Sequence, residues 1–179
     1  ALVYIDKAIK LSINNDIYQL LKSEIYINKS NIDEALSTLE DLNSKNRIKK
    51  DVNKEIRINI LLADAFLKKR KFEEAEIILL KLIKKYQRLE LAYLNLSILY
   101  NHKNQLSKSI KILKKGINVS PNFMPFYKNL ATFYRNSGQL KLAIETNLFI
   151  ISRNKFDFNS FYELSEIYDF KNHKNELNF

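Results

Sequence analysis

Residues 90–123 decide the fold class, and they read ELAYLNLSILYNHKNQLSKSIKILKKGINVSPNF. The large side chains of Tyr93, Leu96 and Tyr100 are spaced i, i+3 and i+7, which places them on one face of an α-helix. The small residue Ser97 lies on the same face. A short polar break follows near His102, and a second apolar series begins after it. The segment therefore predicts two antiparallel helices joined by a short turn.

The same pattern recurs at a spacing of about 34 residues, which marks an internal repeat. Small residues recur in two of the repeating columns, where a larger side chain would hold the two helices of a unit apart. The six columns are Leu62, Leu96, Leu130 and Leu164; Ala63, Ser97, Ala131 and Ser165; Phe66, Tyr100, Tyr134 and Tyr168; Tyr93, Tyr127 and Phe161; Ala75, Ser109 and Ala143; and Leu79 with Leu113.

The composition also favours an all-α chain. Only two glycines and two prolines occur in 179 residues, too few for the frequent tight turns of a β-rich fold. With 46% hydrophobic and 28% charged residues, the chain can bury a core and is not disordered by composition. Helical repeats are the architecture that remains.

The repeat resembles the tetratricopeptide repeat, a helix–turn–helix unit of about 34 residues. The resemblance implies an all-α fold, an α-solenoid of antiparallel helix pairs wound into a right-handed superhelix of about ten helices. The signature residues in the unit at 90–123 are Tyr93, Leu96, Ser97, Tyr100, Ser109, Gly116 and Pro121.

We expect a single repeat domain over residues 1–179. Its parts are a partial unit at 1–15, complete units at about 16–49, 56–89, 90–123 and 124–157, a partial unit at 158–179, and an insertion at about 50–55.

The insertion and the two ends depart from the repeat. Six extra residues lie within 43–55, where they form either a longer loop or a lengthened helix. Residues 1–13 are predicted to form a second helix without its first, and residues 157–179 a first helix with the start of a second. We therefore expect the array to be cut at both ends, as in a piece of a longer protein.

The residues needed for catalysis or cofactor binding are sparse. Phosphate-binding loops need closely spaced glycines, whereas Gly116 and Gly138 are isolated. The chain has no cysteine, and His102 and His173 lie two repeats apart in predicted turns, so a zinc site is not expected. We expect no catalytic residue, no cofactor and no metal ion, in a chain that is not an enzyme.

The longest stretches without a charged residue contain twelve residues, too few for a membrane-spanning helix. We therefore expect a soluble chain without membrane insertion. The lack of cysteine permits a reducing compartment, and a cytoplasmic location is expected.

The net charge of +10 comes mainly from lysine, which supplies 24 of the 30 basic residues. Arginine, which binds phosphates through a planar fork, is scattered, so no specific nucleic-acid partner is expected. Lysines recur on the second helices, either as a solvated outer face or as an accessory contact for an anionic partner. They are Lys81, Lys84, Lys85, Lys108, Lys111, Lys114 and Lys115.

The tetratricopeptide resemblance implies that the first helices line a concave groove that binds a protein or peptide. Asn95 and Asn129 occupy equivalent positions, and their primary amides can hold a peptide backbone; alternatively, they link adjacent helices. Flanking side chains would then select apolar and acidic ligand residues. The flanking residues are Leu94, Ile98, Lys128 and Arg135.

These features predict a protein–protein interaction scaffold that binds an extended segment in its groove. The alternative is a docking or substrate-recruiting region of a larger enzyme, similar to a glycosyltransferase or sulfotransferase, whose catalytic domain lies outside this chain. The sequence names neither the partner nor the oligomeric state.

Overall fold

The computed structural model describes residues 16–49 and 51–176, with side chains described within 16–46 and 51–168. These residues contain α-helices and no strand, which confirms the predicted all-α fold class. The predicted helix at residues 1–13 lies outside the described residues. The nine helices of the described ranges are α1 (Asp16–Asn28), α2 (Ile32–Lys49), α3 (Val52–Lys68), α4 (Phe72–Lys85), α5 (Glu90–His102), α6 (Leu106–Val119), α7 (Met124–Asn136), α8 (Leu140–Arg153) and α9 (Phe158–Glu176).

The helices follow one another in pairs, with α1 packed on α2, α3 on α4, and α7 on α8. They group into two compact units, residues 1–95 and 96–179, which we call unit 1 and unit 2. The division falls within α5.

The core of unit 1 is formed by the apolar faces of its helix pairs. Leu20 and Ile27 of α1 pack with Leu39 and Leu42 of α2 and with Ile58 of α3. The small residues of the predicted columns, Ala63 and Ala75, are completely buried, as expected where helices cross closely.

The extra residues of unit 1 lengthen two helices. Helix α2 has 18 residues, against 14 in α4, α6 and α8, and α3 has 17, against 13 in α5 and α7. The side chain of Asn46 bonds both backbone groups of Asp51 across the α2–α3 connection. The Asp51 carboxylate in turn accepts a hydrogen bond from the backbone N–H of Lys54 and caps α3. Residues 52–55 are therefore the first turn of α3.

The core of unit 2 depends on close contacts between its helices. The Ser109 hydroxyl donates a hydrogen bond to the carbonyl oxygen of Ser97 at 2.9 Å, which satisfies a buried polar group between α5 and α6. Gly116 of α6 faces the ring of Phe126 in α7, and a Cβ atom at position 116 would lie only 2.6 Å from that ring. A side chain at position 116 would therefore force the buried ring of Phe126 to shift.

The turn inside each repeat uses a residue with positive φ. Ser30, Arg70, Asn104 and Gly138 have φ between 56° and 73°. Each is followed by a residue whose N–H returns to a carbonyl five positions earlier, for example Gln139 to Tyr134. This pattern is the Schellman motif that ends a helix.

Helix α9 is a single helix through residue 176, so the predicted start of a second helix within 157–179 is wrong. His173 accordingly lies within this helix, and His102 is the last residue of α5. The segment after residue 158 contains no glycine or proline to end the helix.

Aromatic side chains of the repeat columns are exposed on α9, with Phe161 at 49% and Tyr168 at 68% exposure. No described helix follows α9 to cover them.

Candidate functional site

First helices of neighbouring repeats contact each other inside each unit, α1 with α3 and α7 with α9. We call the polar surfaces along these contacts the inner faces. The inner face of unit 1 consists of Asp16, Glu24, Lys54, Arg57, Asp64 and Lys68, and that of unit 2 of Lys128, Thr132, Arg135, Asp157, Tyr162 and Glu163.

Two ion pairs connect α7 to the start of α9 on the inner face of unit 2. Lys128 pairs with the carboxylate of Asp157, and Arg135 Nε lies 3.1 Å from Glu163 Oε2. The second pair lacks hydrogen-bond geometry, since the buried Oε2 atom of Glu163 has no hydrogen-bond donor among the described residues. Both cations of the predicted site are thus largely neutralised by α9.

Sequence reasoning missed these pairs, although a signal for them is present. Asp157 follows Lys128, and Glu163 follows Arg135, at nearly equal separations that are a little shorter than one repeat. Residues separated by this distance in the sequence lie on the first helix of one repeat and at the beginning of the first helix of the next repeat.

Asp157 caps the N-terminus of α9. Its side chain is only 7% exposed, and its Oδ1 atom accepts hydrogen bonds at 3.1 Å from both the backbone N–H and the hydroxyl of Ser160. Hydrogen bonding to Lys128 lowers the pKa of Asp157; burial opposes this shift, and the two bonds from Ser160 reinforce it. The carboxylate is therefore held in its charged form.

A polar pocket of about 210 Å³ lies beside these ion pairs in unit 2. It combines hydroxyl, amide, ammonium and carboxylate groups, so it offers both donors and acceptors of hydrogen bonds. The exposed ring of Tyr162 forms part of its wall. The lining residues are Lys128, Thr132, Asn147, Asp157, Asn159, Ser160, Tyr162 and Glu163.

The structure places three of the six predicted binding residues on α7: Lys128, Asn129 and Arg135. Asn129 is half-buried, and its side-chain N–H donates to the carbonyl oxygen of Pro125 at 3.0 Å, within the same helix. The observed hydrogen bond of Asn129 therefore connects it to its own helix.

The other three predicted binding residues, Leu94, Asn95 and Ile98, are half-buried in α5. The unit boundary separates them, since Leu94 and Asn95 belong to unit 1 and Ile98 to unit 2.

The inner face of unit 1 also carries ion pairs between its first helices. Lys54 Nζ lies 2.5 Å from the Asp16 carboxylate, and an Arg57 guanidinium nitrogen lies 3.2 Å from Glu24. Lys68 donates to the carbonyl oxygen of Ile27 at the end of α1. In both units, charged side chains thus link one first helix to the next.

Asp64 is a carboxyl of the unit 1 inner face that forms no ion pair with any described residue. Burial raises its pKa, an effect that nearby Lys68 opposes and Glu24 reinforces. A desolvated carboxyl on an open face can accept a hydrogen bond or an ion pair from an incoming group. The candidate site residues predicted from the sequence did not include Asp64.

The second helices carry the lysines on their outer surfaces. All seven lysines singled out on α4 and α6 are exposed.

No helix within the described part of the chain is both long enough and apolar enough to cross a membrane.

Residues 91–123 match the family model of the tetratricopeptide repeat. The chain carries a tetratricopeptide repeat. The matched segment is the unit whose two helices are α5 and α6. A comparison with curated proteins gives no match.

Solved structures show that this tetratricopeptide fold extends over most of the chain. TTC0263, a thermophilic tetratricopeptide repeat protein of Thermus thermophilus, has a TM-score of 0.77 at 14% identity, with 93% of this chain and 88% of that chain covered. A tetratricopeptide repeat protein from Parabacteroides merdae has a TM-score of 0.70 at 13% identity, with 90% and 62% covered. The structure of Naa15/Naa10 bound to HypK-THB has a TM-score of 0.65 at 13% identity, with 91% and 24% covered.

Proposed function

We propose that this tetratricopeptide repeat chain is a protein–protein interaction scaffold that binds an extended partner segment along the inner faces of its first helices. Tetratricopeptide repeat proteins are generally non-catalytic scaffolds, and the similar Naa15/Naa10 structure is a complex with bound HypK-THB. The observation that carries the proposal is the polar pocket beside Thr132 and Tyr162. An extended backbone alternates N–H donors with C=O acceptors, and this pocket offers partners for both.

The proposed contacts in unit 2 come mainly from α7 and α9. Asn129 can direct the free acceptor lone pairs of its amide oxygen to ligand N–H groups, since its observed bond uses only its N–H donor. Lys128 and Arg135 would bind acidic ligand groups in competition with Asp157 and Glu163. The preference for acidic ligand residues is therefore expected to be modest.

The proposed contacts from α5 are a polar one and two apolar ones. Asn95 would contribute its amide as Asn129 does, and Leu94 and Ile98 would pack against apolar ligand side chains. All three are half-buried, so each retains some surface for a ligand.

The experiment is a selection of binding peptides from a random display library, followed by affinity measurement with Asn95→Ala and Asn129→Ala. A net hydrogen bond is worth about 0.5–1.5 kcal/mol, so the loss of two bonds at one asparagine should weaken binding about tenfold or more. Alanine favours helices more than asparagine, so the melting temperature should hold. Asn118→Ala, in an exposed position of α6, is the matched control.

The readouts separate a binding role from a structural one. A loss of affinity at an unchanged melting temperature, with the Asn118 variant unaffected, supports the assignment. If the melting temperature falls while peptide affinity holds, the asparagines are structural and the proposed site is wrong.

A further inference from the structure

Helix α6 presents a dense row of positive charge on the outer surface of unit 2. Its 14 residues include four lysines and no acidic residue. The lysine side chains are exposed, whereas Ser109, Leu113 and Gly116 on the opposite side are buried. At about 1.5 Å of rise per residue, the row spans roughly 10 Å along the helix. We call Lys108, Lys111, Lys114 and Lys115 the α6 lysine row.

The charges of this row are not neutralised by the described part of the protein. The Nζ atom of Lys108 lies 5.5 Å from the ring centroid of Tyr100, and the Nζ atom of Lys114 lies 5.7 Å from the ring centroid of Tyr134. Within the described residues, no carboxylate forms an ion pair with any of the four lysines. Four like charges on one helix face repel each other, so a bound anionic partner would relieve that repulsion.

The position of the row is fixed by the packing of α6. The Ser109 hydrogen bond to Ser97 and the close contact of Gly116 with Phe126 hold the helix against its neighbours. The ammonium groups of Lys108 and Lys114, each over an aromatic ring, further limit the conformations of these two side chains. A partner therefore meets charges whose spacing is largely set in advance, which lowers the entropy lost on binding.

We propose that the α6 lysine row binds an acidic, Glu- and Asp-rich segment of a partner protein, as a second contact surface in addition to the inner faces. The Cβ atoms of lysines three or four residues apart on a helix lie about 5–6 Å from each other. The i, i+4 carboxylates of an acidic helix have that same spacing, and alternate side chains of an extended acidic segment, about 7 Å apart, come within reach of the flexible lysine side chains.

The chemistry of the row favours a polypeptide over other polyanions. Helices that lie on membranes insert large apolar side chains, whereas the other exposed residues of α6 are Ser107 and Asn118. Nucleic-acid recognition favours arginine for its planar fork, and α6 contains none. A row of four lysines fits a short acidic segment with a similar number of carboxylates.

The test measures binding of a fluorescein-labelled, Glu-rich 12-residue peptide by anisotropy at 50 mM salt. The variant Lys111→Glu/Lys115→Glu reverses two exposed charges that make no ring contact, so the fold should be unaffected. The matched control, Lys81→Glu/Lys84→Glu, reverses two exposed lysines of α4 and changes the net charge by the same amount. We expect at least tenfold weaker binding for the α6 variant and less than threefold for the α4 variant.

The remaining outcomes overturn the proposal. An equal loss in both variants would mean that the peptide responds only to net charge. Lack of binding by the unmodified chain would exclude the site. Tighter, α6-dependent binding of duplex DNA, or of vesicles with one quarter phosphatidylserine, would assign the row to a different class of partner.

A further control separates this surface from the inner-face site. We expect Asn129→Ala to leave the affinity for the Glu-rich peptide unchanged.

Discussion

At the scale of single residues, the turn position with positive φ recurs in every described repeat, yet only Gly138 and Asn104 are residue types that favour it. The left-handed conformation costs a residue with a Cβ about 1–2 kcal/mol, whereas the extra backbone entropy of glycine costs about 0.5–1 kcal/mol. Arg70 has φ 60° and is exposed. We expect Arg70→Gly to raise the free energy of unfolding by about 0.5–1 kcal/mol in urea titrations. Gly138→Ala should lower it by a similar amount, and a less stable Arg70→Gly variant would contradict this account.

Asp157 should make stability depend on acidic pH. Its pKa is lowered in the folded chain, so its contribution is fully present above the unfolded value of about 3.9 and is lost as the pH falls through the folded value. Asp157→Ala also removes the cap of α9, and we expect it to lose about 1–2 kcal/mol at pH 7. Asp157→Asn keeps a capping oxygen and should lose less. Urea titrations between pH 2 and 7 should show a flatter pH profile for both variants; an unchanged profile would exclude the role of this carboxyl.

At the scale of helices, the contact of α6 with α7 depends on the absence of one methyl group. Alanine at position 116 favours a helix by about 1 kcal/mol, but its Cβ would overlap the fully buried ring of Phe126. Phe123 packs edge-on against that ring and limits its retreat. We expect Gly116→Ala to destabilise the chain by about 1–3 kcal/mol in thermal and urea unfolding. Combination with Phe126→Leu should recover part of the loss, and additive losses would argue against a steric cause.

The helices also show how far a repeat pattern determines structure. The regular repeat spacing was sufficient to predict helix pairs and buried small residues such as Ala131 and Ala143, because periodic burial is a local property of the sequence. The pattern could not decide between a loop and longer helices at residues 43–55, because that choice depends on the bonds of Asn46 to Asp51. It also placed His173 in a turn, where α9 continues.

At the scale of the whole molecule, the sequence placed candidate residues on the inner face but not their electrostatic partners. Lys128 and Arg135 were selected as cations for a ligand, and both face carboxylates of the next first helix. Such pairs join residues almost one repeat apart, so they depend on the packing of neighbouring first helices. The net charge of +10 likewise gave no indication that the four lysines of α6 lack an ion pair within the described residues, while Lys85 of α4 is paired with Glu55.

Stability in a repeat chain should be distributed over nearest-neighbour contacts, and α9 provides a test. Its main described contacts are with α7 and α8. Removal of residues 155–179 should therefore leave the remaining chain helical, with a cooperative transition and a melting temperature lower by on the order of 5 °C, as followed by circular dichroism. Phe126→Ala in the full chain is the comparison, since it removes a fully buried ring from the α6–α7 contact and should cost about 3–5 kcal/mol. The nearest-neighbour account would fail if removal of α9 lowered the melting temperature more than Phe126→Ala does. It would also fail if removal of α9 abolished the cooperative transition, because stability would then not be a sum of local interfaces.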